Sequence, residues 1–214
     1  MMHPDHPIIF ADREVAARRL AQRLEAYRGQ HPLILAIPRG AVPMGVTLAA
    51  ALQGDLDVVL VRKLRAPYQP EFAIGSIDES GWTYVSPDVR LMDISEDYLA
   101  AERRRQLDTI TQRRAQYTSI RPPIDPKGRV VIVVDDGLAT GATMIAALHG
   151  LRLRHPLKLI CAVPVASRDA LLQIQPLADE VVCLQTPADF HAVGQFYQDF
   201  PQVEDQEVMA LLKR

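Results

Sequence analysis

The chain has 214 residues, of which 48% are hydrophobic and 23% charged, and its formal net charge is -2. These values are ordinary for a globular protein, and they exclude the global positive field with which proteins hold duplex nucleic acid. Because no apolar run approaches the ~20 residues of a membrane helix, and Met1–Pro7 lacks the basic and apolar segments of a leader, we expect a cytoplasmic protein without membrane or nucleic-acid partners.

The first quarter of the chain predicts alternating helices and strands. Apolar residues at helical spacing from Asp12 predict an amphipathic helix, and Leu33–Ile37 predicts a buried strand. After a turn at Pro38–Gly40, small residues over about 42–52 predict a second helix. Asp57–Val61 repeats the signal of a buried strand.

Regular periodicity is lost between residues 62 and 87. Prolines and glycines interrupt this segment, which also contains Trp82 and Tyr84. Loops of this length in compact proteins are usually functional or disordered, and the aromatic residues argue against disorder. We therefore expect a lid with glycine hinges, formed by a long flexible loop or a β-hairpin. A long polar helix follows from Ser95 to about Tyr117, and its Arg113–Arg114 pair is expected at a solvated surface or a dimer contact.

Strands and helices alternate again in the second half of the chain. Val130–Val134 consists of five apolar β-branched residues and predicts a buried strand. The next elements are a helix over about 142–154, a strand over 157–163, a helix from 168 and a strand over 180–184. This alternation predicts an α/β fold with a doubly wound, mostly parallel sheet and helices on both faces. We expect a single domain over 1–214, with the lid at 62–87 and a small C-terminal cap, or hood, at 186–214.

The strongest chemical signal follows the predicted strand at 130–134. Asp135 and Asp136 stand at the strand's end, where carboxylates can accept hydrogen bonds from vicinal hydroxyls of a sugar. Gly141 permits a bend in which backbone amides of residues 139–143 converge on one phosphate. The alternative, in which the two acids only cap a helix, predicts no ligand. The nucleotide P-loop pattern is absent from the sequence.

Val131–Thr143 resembles the phosphoribosyl pyrophosphate (PRPP) motif of type I phosphoribosyltransferases. The resemblance implies that Asp135 and Asp136 grip the ribose hydroxyls. It also implies that Mg²⁺ bridges ribose and pyrophosphate, held mainly by PRPP and water with the two acids nearby. The residues implied to bind the 5-phosphate form what we call the glycine loop (residues 137–143), with the contacts assigned to Gly137, Ala139, Thr140, Gly141, Ala142 and Thr143.

Two further segments resemble family features in the same chain order. Ile37–Gly40 is similar to the pyrophosphate loop, which in the family often contains a cis peptide, and Arg39 and Gly40 would contact pyrophosphate there. Arg62 and Lys63 resemble the basic entry to the catalytic lid. Taken alone, each of these basic residues would be an ordinary surface cation. Together with the acids they imply a catalytic set of Lys63, Arg39, Asp135 and Asp136.

The wider resemblance covers almost the whole chain and is to a poorly characterised bacterial branch of predicted phosphoribosyltransferases without a settled acceptor. Ala139 stands where the hypoxanthine-guanine type has an acid, which argues against that activity. We expect a homodimer that transfers the phosphoribosyl group of PRPP to a small nitrogenous acceptor and releases pyrophosphate. The acceptor would lie under the cap, where Phe190, Phe196 or Tyr197 could stack on a flat ring.

Two other functions remain open on the sequence. The chain could be a regulator that binds PRPP or a nucleotide without transfer, or a hydrolase or phosphorylase that acts on a ribose-phosphate donor. Glu71 on the lid and His191 in the cap are titratable residues whose roles the sequence leaves open.

Overall fold

The computed structural model describes residues 7–69, 72–86, 89 and 94–213. Its helices are α1 (Arg13–Arg23), α2 (Val42–Leu52), α3 (Glu96–Thr118), α4 (Ala142–Arg152), α5 (Arg168–Ile174) and α6 (Asp205–Leu212). Its strands are β1 (Leu33–Ala36), β2 (Asp55–Val58), β3 (Val61–Arg65), β4 (Ala73–Asp78), β5 (Thr83–Val85), β6 (Val130–Val134), β7 (Lys158–Val165) and β8 (Glu180–Gln185).

Five strands form one parallel sheet in the order β2-β1-β6-β7-β8. The chain builds outward from β1 to β2 on one side and from β6 through β7 to β8 on the other, so the direction of winding reverses between β1 and β6. Ligands of open α/β sheets bind at the carboxyl ends of the strands at such a reversal. Since Ala36 lies opposite Val134 in the register, the loops that follow β1 and β6 meet there.

Alternate residues of the central strand β6 pack into two hydrophobic cores. Ile132 and Val134 are fully buried on the side of α1 and α2, whereas Val131 and Val133 are buried on the side of α4 and α5. Burial on both faces accounts for the continuous apolar run, since a strand with one solvated face would alternate. The predicted fold class, a doubly wound parallel sheet with helices on both faces, is confirmed.

A second, antiparallel sheet replaces much of the irregular segment predicted at 62–87. Strands β3, β4 and β5 pair in sequence order. The single strand predicted at 57–61 is wrong, because two separate strands share this segment: β2 ends at Val58 and β3 begins at Val61. Between them, the amide of Leu60 donates to Glu79 Oε1 at 2.9 Å, so the chain turns from the parallel sheet toward the second one. Gly75, one of the expected hinges, lies within β4.

Helix α3 is attached to the second sheet by buried polar groups. The fully buried carboxylate of Glu102 accepts hydrogen bonds from the amide of Arg65 at 3.0 Å and from Gln106 Nε2 at 2.9 Å. Arg114, expected at a solvated surface or a dimer contact, instead donates to Val58 O at 2.9 Å and pairs with Glu79. The solvated-surface alternative is therefore wrong, because the half-buried guanidinium of Arg114 has partners from distant parts of the chain. The dimer contact stays a prediction.

The C-terminal segment, residues 186–213, packs on the side of the sheet that carries α1 and α2. Phe196 and Tyr197 are buried in that core, and Tyr197 forms a β-bridge with Phe10 near the start of the described chain. Helix α6 is held to α3 by a hydrogen bond from Tyr117 Oη to Asp205 at 2.9 Å.

Within the part of the chain that the structure describes, none of the helices has the combination of length and apolar character that crossing a bilayer requires.

The close pairing of β4 with β5 predicts the effect of a single methyl group. A Cβ at position 75 would lie 2.1 Å from the carbonyl oxygen of Tyr84, which is backbone and cannot move aside cheaply. We expect Gly75→Ala to lower the free energy of unfolding by about 1–3 kcal/mol, as overpacked sites do, measured by urea denaturation.

Thr83→Val on β5 is the matched control, because it keeps a β-branched side chain and removes only a 3.3 Å contact from Thr83 Oγ1 to Gly81 O. Its stability should stay within about 0.5 kcal/mol of the unmodified protein. If Gly75→Ala were as stable as this control, the strand pairing described here would be wrong.

Candidate functional site

The candidate site lies where β1 and β6 end, at the reversal of the sheet. The amide of Ile37 donates to Val134 O at 3.0 Å, so the strands stay paired to their last residues. Asp135 follows β6, and Pro38 follows Ile37 on the neighbouring strand. The peptide bond between Pro38 and Arg39 is cis, as the resemblance to the pyrophosphate loop implied.

The glycine loop is fixed by contacts to β7 and to the start of α5. The amide of Leu138 donates to Val165 O at 2.9 Å, and Ser167 Oγ donates to Ala139 O at 2.6 Å. Gly141 caps the N-terminus of α4 with a φ of 74°, a left-handed conformation that favours glycine. The first amides of α4 have no acceptor within the helix, and together with the helix dipole they form an anion site.

The two adjacent acids have different surroundings. Asp135 Oδ1 accepts a hydrogen bond from the Asp136 amide at 2.9 Å. Burial, and next the carboxylate of Asp136, raise the pKa of Asp135 well above its usual range. Asp136 Oδ2 accepts two hydrogen bonds from Arg13, from Nε at 3.1 Å and from Nη2 at 3.0 Å. Burial raises the pKa of Asp136 as well, whereas the positive charge of Arg13 lowers it.

The sequence analysis missed Arg13 and Ser167, and it named Tyr197 only as a stacking residue for the acceptor. Arg13, on the first turn of α1, is 123 positions from Asp136 in the chain. Tyr197 Oη donates to the backbone oxygen of Asp136 at 2.6 Å across 61 positions. No local pattern indicates such distant partners. Ser167 caps α5, as a serine before a helix often does, but nothing in that signal points to the glycine loop.

Strand β3 carries the two predicted basic residues of the lid. Lys63 lies opposite Ser76 in the register, and Ser76 Oγ donates to Ala142 O at 2.6 Å, so the second sheet is attached to the start of α4. Arg62 Nε donates to Gln106 Oε1 at 3.0 Å. Burial, followed by the charges of neighbouring arginines, lowers the pKa of Arg62.

Arg39 and Gly40 lie behind the acids, toward α6. Arg39 Nη1 pairs with Glu204 Oε2 at 2.9 Å, so the guanidinium is directed toward the C-terminal segment. A Cβ at Gly40 would lie 2.3 Å from Asp136 Oδ2, so glycine is required for this approach. Both residues line a cavity of about 380 Å³ that we call the rear cavity.

A cavity of about 240 Å³, the central cavity, joins the acids to the glycine loop. The predicted site residues that line it are Lys63, Asp135, Asp136, Gly137, Ala139, Thr140, Gly141 and Thr143. The structure therefore brings Lys63 of β3, both acids and most of the glycine loop to one place.

Two larger cavities adjoin the central one, and both share Lys63 with it. The basic cavity, about 330 Å³, is lined by Arg62, Lys63 and Arg65 on β3. The outer cavity, about 740 Å³, extends from Ala142 to Phe190 of the C-terminal segment.

Some of the expected stacking residues and titratable candidates line the outer cavity, and others lie in the core. Phe196 and Tyr197 are core residues, so of the three aromatic candidates Phe190 lines the outer cavity. His191 also lines it, with Nε2 2.8 Å from Asp189 Oδ1 and both side chains exposed. Glu71 lies outside the described residues.

The carboxylate oxygens of the central cavity fit a metal ion that binds together with a phosphate ligand. Among residues 7–69, 72–86, 89 and 94–213, no group of three or more histidine, cysteine or acidic residues could hold a metal. The central cavity offers two carboxylates, and one oxygen of Asp136 is already bonded to Arg13. Mg²⁺ prefers to keep water and phosphate ligands beside one or two carboxylates, and such a site requires no more than these.

Comparison with known proteins identifies the family of the chain. The family model described as a phosphoribosyl transferase domain matches residues 8–201. Two proteins of Mycobacterium tuberculosis, from strains CDC 1551 and H37Rv and each named "Putative phosphoribosyl transferase", are 43% identical over 207 residues. The match covers 96% of this chain but 47% of each relative, so the chain spans about half the length of these proteins.

Solved structures resemble the fold. The crystal structure of TT1426 from Thermus thermophilus has a TM-score of 0.80 and 43% sequence identity, and covers 96% of this chain and 98% of its own. A Neisseria gonorrhoeae hypothetical protein, solved with bound ppGpp, has a TM-score of 0.54 and 14% identity over 99% of this chain and 98% of its own. At that identity the second match shows a shared fold.

The partial burial of Asp135 beside Asp136 predicts how stability depends on pH. A carboxyl group whose pKa is higher in the folded than in the unfolded state stabilises the fold at low pH, and this contribution is lost as pH rises through the folded-state value. Asp135→Asn keeps an oxygen to accept the Asp136 amide and removes the buried charge. We expect this variant to melt at a higher temperature than the unmodified protein at about pH 8, and to lose less stability between about pH 5 and pH 8.

Calorimetric melting of the ligand-free protein measures this effect. Asp199→Asn, at an exposed position of the C-terminal segment, is the control and should preserve the original pH dependence. An Asp135→Asn profile parallel to that of the unmodified protein would show that Asp135 is not destabilised by burial.

Proposed function

Because the chain belongs to the phosphoribosyl transferase domain family, we propose that it transfers the 5-phosphoribosyl group of PRPP to a nitrogenous acceptor and releases pyrophosphate in a Mg²⁺-dependent reaction. The observation that carries the proposal is the central cavity, which joins a half-buried pair of carboxylates to a helix N-terminus at the reversal of the sheet. A sugar phosphate has the complementary groups, vicinal hydroxyls next to one phosphate.

The 5-phosphate would bind the glycine loop. Its ligands would be the backbone amides that begin α4 and the hydroxyls of Thr140 and Thr143, both of which line the central cavity. The contacts from Ser167 to Ala139 and from Leu138 to Val165 hold the loop in shape before the ligand arrives. A loop ordered in advance loses little conformational entropy on binding, which increases the affinity.

The ribose hydroxyls would donate to the two acids. When the bond from C1 to pyrophosphate breaks, the ribose becomes positively charged, and a carboxylate that burial has destabilised gains more from that charge than a solvated one would. Asp135, at the end of β6 with Oδ1 held by the Asp136 amide, would place its carboxylate beside that charge. Mg²⁺ bound with PRPP would lie on the same side, near Asp135 and Asp136, and would neutralise part of the pyrophosphate charge.

Pyrophosphate would leave toward the basic cavity. Lys63 lines both this cavity and the central one, so its ammonium group can remain near the leaving group as negative charge builds up. Arg62 and Arg65 add charge farther out on the same strand. Contacts that strengthen as charge develops lower the barrier, whereas contacts that are equal throughout only tighten binding.

The acceptor would occupy the outer cavity. It adjoins the glycine loop at Ala139 and Thr140 and offers the ring of Phe190 as a stacking surface, with Asp169 and Gln173 on α5 as polar groups. A cavity that combines an aromatic ring with a few polar groups is typical of sites for flat heterocycles.

PRPP labelled in its pyrophosphate tests the reaction. The purified protein is incubated with Mg²⁺ and labelled PRPP, with and without panels of purines, pyrimidines and small aromatic nitrogen heterocycles. Release of pyrophosphate that depends on one added base supports transfer. Release without any base indicates hydrolysis, and calorimetric binding without turnover indicates a regulator. Absence of PRPP binding would refute the assignment of the central cavity.

The position of Lys63 between two cavities predicts a kinetic signature. Lys63→Gln removes a charge whose contact strengthens as pyrophosphate leaves, so we expect kcat to fall by about 10²–10³-fold and the KM for PRPP to change much less. Steady-state rates of pyrophosphate release measure both constants.

Lys127→Gln, at an exposed lysine before β6, controls for the loss of one surface charge and should leave both constants unchanged. If Lys63→Gln instead raised KM and left kcat intact, Lys63 would contribute uniform binding and the assignment of its catalytic role would be wrong.

A further inference from the structure

Arg13 is a buried arginine on the first turn of α1, beside the buried Ala16 and the exposed Glu14. Its side chain is buried, with the residue 8% exposed, and two of its guanidinium nitrogens donate to Asp136 Oδ2. Arginines are rarely buried unless they are paired. Its burial beside Asp136 therefore calls for a reason beyond helix packing.

The geometry fixes which oxygen of Asp136 is available to a ligand. Arg13 Nε and Nη2 both bind Oδ2, and Gly40 approaches the same oxygen so closely that a Cβ there would lie 2.3 Å away. Oδ2 is thus enclosed between α1 and the loop after β1. Asp136 also lines the central cavity, so Oδ1 is the oxygen left to accept a hydroxyl.

The same guanidinium holds the C-terminal segment. Arg13 Nη1 donates to Pro201 O at 2.7 Å, and the guanidinium carbon lies 3.8 Å from the ring centre of Phe200. From the same segment, Tyr197 Oη donates to the backbone oxygen of Asp136 at 2.6 Å. Three parts of the chain, α1, the end of β6 and the C-terminal segment, therefore meet at one cation.

Removal of that cation would leave a charge that burial opposes. Asp136, whose side chain is 16% exposed, would then face the carboxylate of Asp135, with Lys63 as the cation that still acts on it. A largely buried carboxylate that loses its hydrogen-bonded partner is destabilised, and it responds by binding a proton or by disturbing the fold. A protonated Asp136 would be a weaker acceptor for a ribose hydroxyl than the anion, because charge-assisted hydrogen bonds are about twice as strong as neutral ones.

We propose that Arg13 is the positioning residue of this site: it holds the Asp136 carboxylate in place as an anion and connects it to the C-terminal segment. The part of this proposal that concerns the Asp136 carboxylate depends only on the structure. The part that concerns ligand affinity rests on the proposed function, with PRPP as the ligand.

The first test measures Asp136 directly in the ligand-free protein. Carbon NMR of protein labelled at its aspartate carboxyl carbons follows the titration, and Asp136→Asn identifies the resonance. Arg13→Met removes the charge and keeps an unbranched apolar side chain. We expect the titration midpoint of Asp136 to rise by about 1–3 units in this variant, since an opposite charge at this distance shifts a carboxyl by that amount.

Arg18→Met is the matched control. Arg18 lies on the same helix and pairs with Glu14 at an exposed position, with 65% of its side chain accessible. It should leave the Asp136 midpoint unchanged. An unchanged midpoint in folded Arg13→Met protein would overturn the proposal.

A double variant keeps the test decisive if Arg13→Met does not fold. If the fault is an uncompensated buried anion, Arg13→Met combined with Asp136→Asn should fold, because the charge and its partner are removed together. If the double variant is also unfolded, Arg13 acts by packing and the proposal is wrong.

The second test measures PRPP affinity by calorimetry across pH. For Arg13→Met we expect weak binding at about pH 6 and recovery toward the unmodified affinity above the raised midpoint, whereas Arg13→Lys, which keeps a cation, should retain the original pH profile. Equal loss of affinity at every pH in Arg13→Met would overturn the assigned role. If the unmodified protein binds no PRPP, the proposed function falls, and the NMR titration still decides whether Arg13 controls Asp136.

Discussion

Two carboxylates at the buried end of β6 impose an electrostatic cost that the rest of the site is arranged to offset. Adjacent like charges in a partly buried position favour protonation, and burial raises the pKa of both acids. The compensation is unequal: Asp136 receives two hydrogen bonds from Arg13, whereas Asp135 Oδ1 receives one from a backbone amide. Gly40 and the C-terminal segment contribute to the same compensation. Gly40 allows the close approach to Asp136, and the C-terminal segment surrounds Arg13.

The topology of the main sheet provides this arrangement, and the second sheet completes it. Adjacent parallel strands β1 and β6 end at the same edge, so their loops face one cavity from two sides. Lys63 comes from another sheet and needs a separate means of alignment. The hydrogen bond from Ser76 to Ala142 provides it, because it attaches β4 to the residue at which α4 begins. The stacking of Trp82 on His149, with ring centres 3.7 Å apart, makes a second attachment along α4. The position of Lys63 relative to the glycine loop is therefore fixed by the Ser76–Ala142 hydrogen bond at the end of that loop and by the Trp82–His149 contact on α4.

The sequence predicted the features that depend on local pattern. The apolar run at Val130–Val134 indicated a buried strand, and the structure buries it on both faces. The glycine at position 141 indicated the bend before α4, where the structure has a left-handed φ. The strands of the second sheet were harder to predict, because they are short and their buried and exposed residues alternate only in part. In addition, the apolar residues around Leu60 continue across the turn between the two sheets. The contact between Arg13 and Asp136 could not be predicted for a different reason. An arginine on an amphipathic helix predicts a solvated side chain, and only the tertiary fold brings Asp136 to it.

Positive side chains are concentrated at one end of the site, and this distribution matches the proposed reaction. At the glycine loop an anion meets backbone amides and a helix dipole, while the cationic side chains Arg62, Lys63 and Arg65 line the basic cavity on the other side of Lys63. PRPP carries phosphate at both ends, but only the pyrophosphate end gains negative charge as the bond to C1 breaks. Neutral donors are sufficient for a phosphate whose charge does not change, and full positive charges are most effective where charge increases. Exchange of the two ends would place the cations where they could tighten binding without lowering the barrier. For the proposed reaction, the asymmetry therefore favours one orientation of the donor, with the ribose over the acids and the pyrophosphate toward the basic cavity.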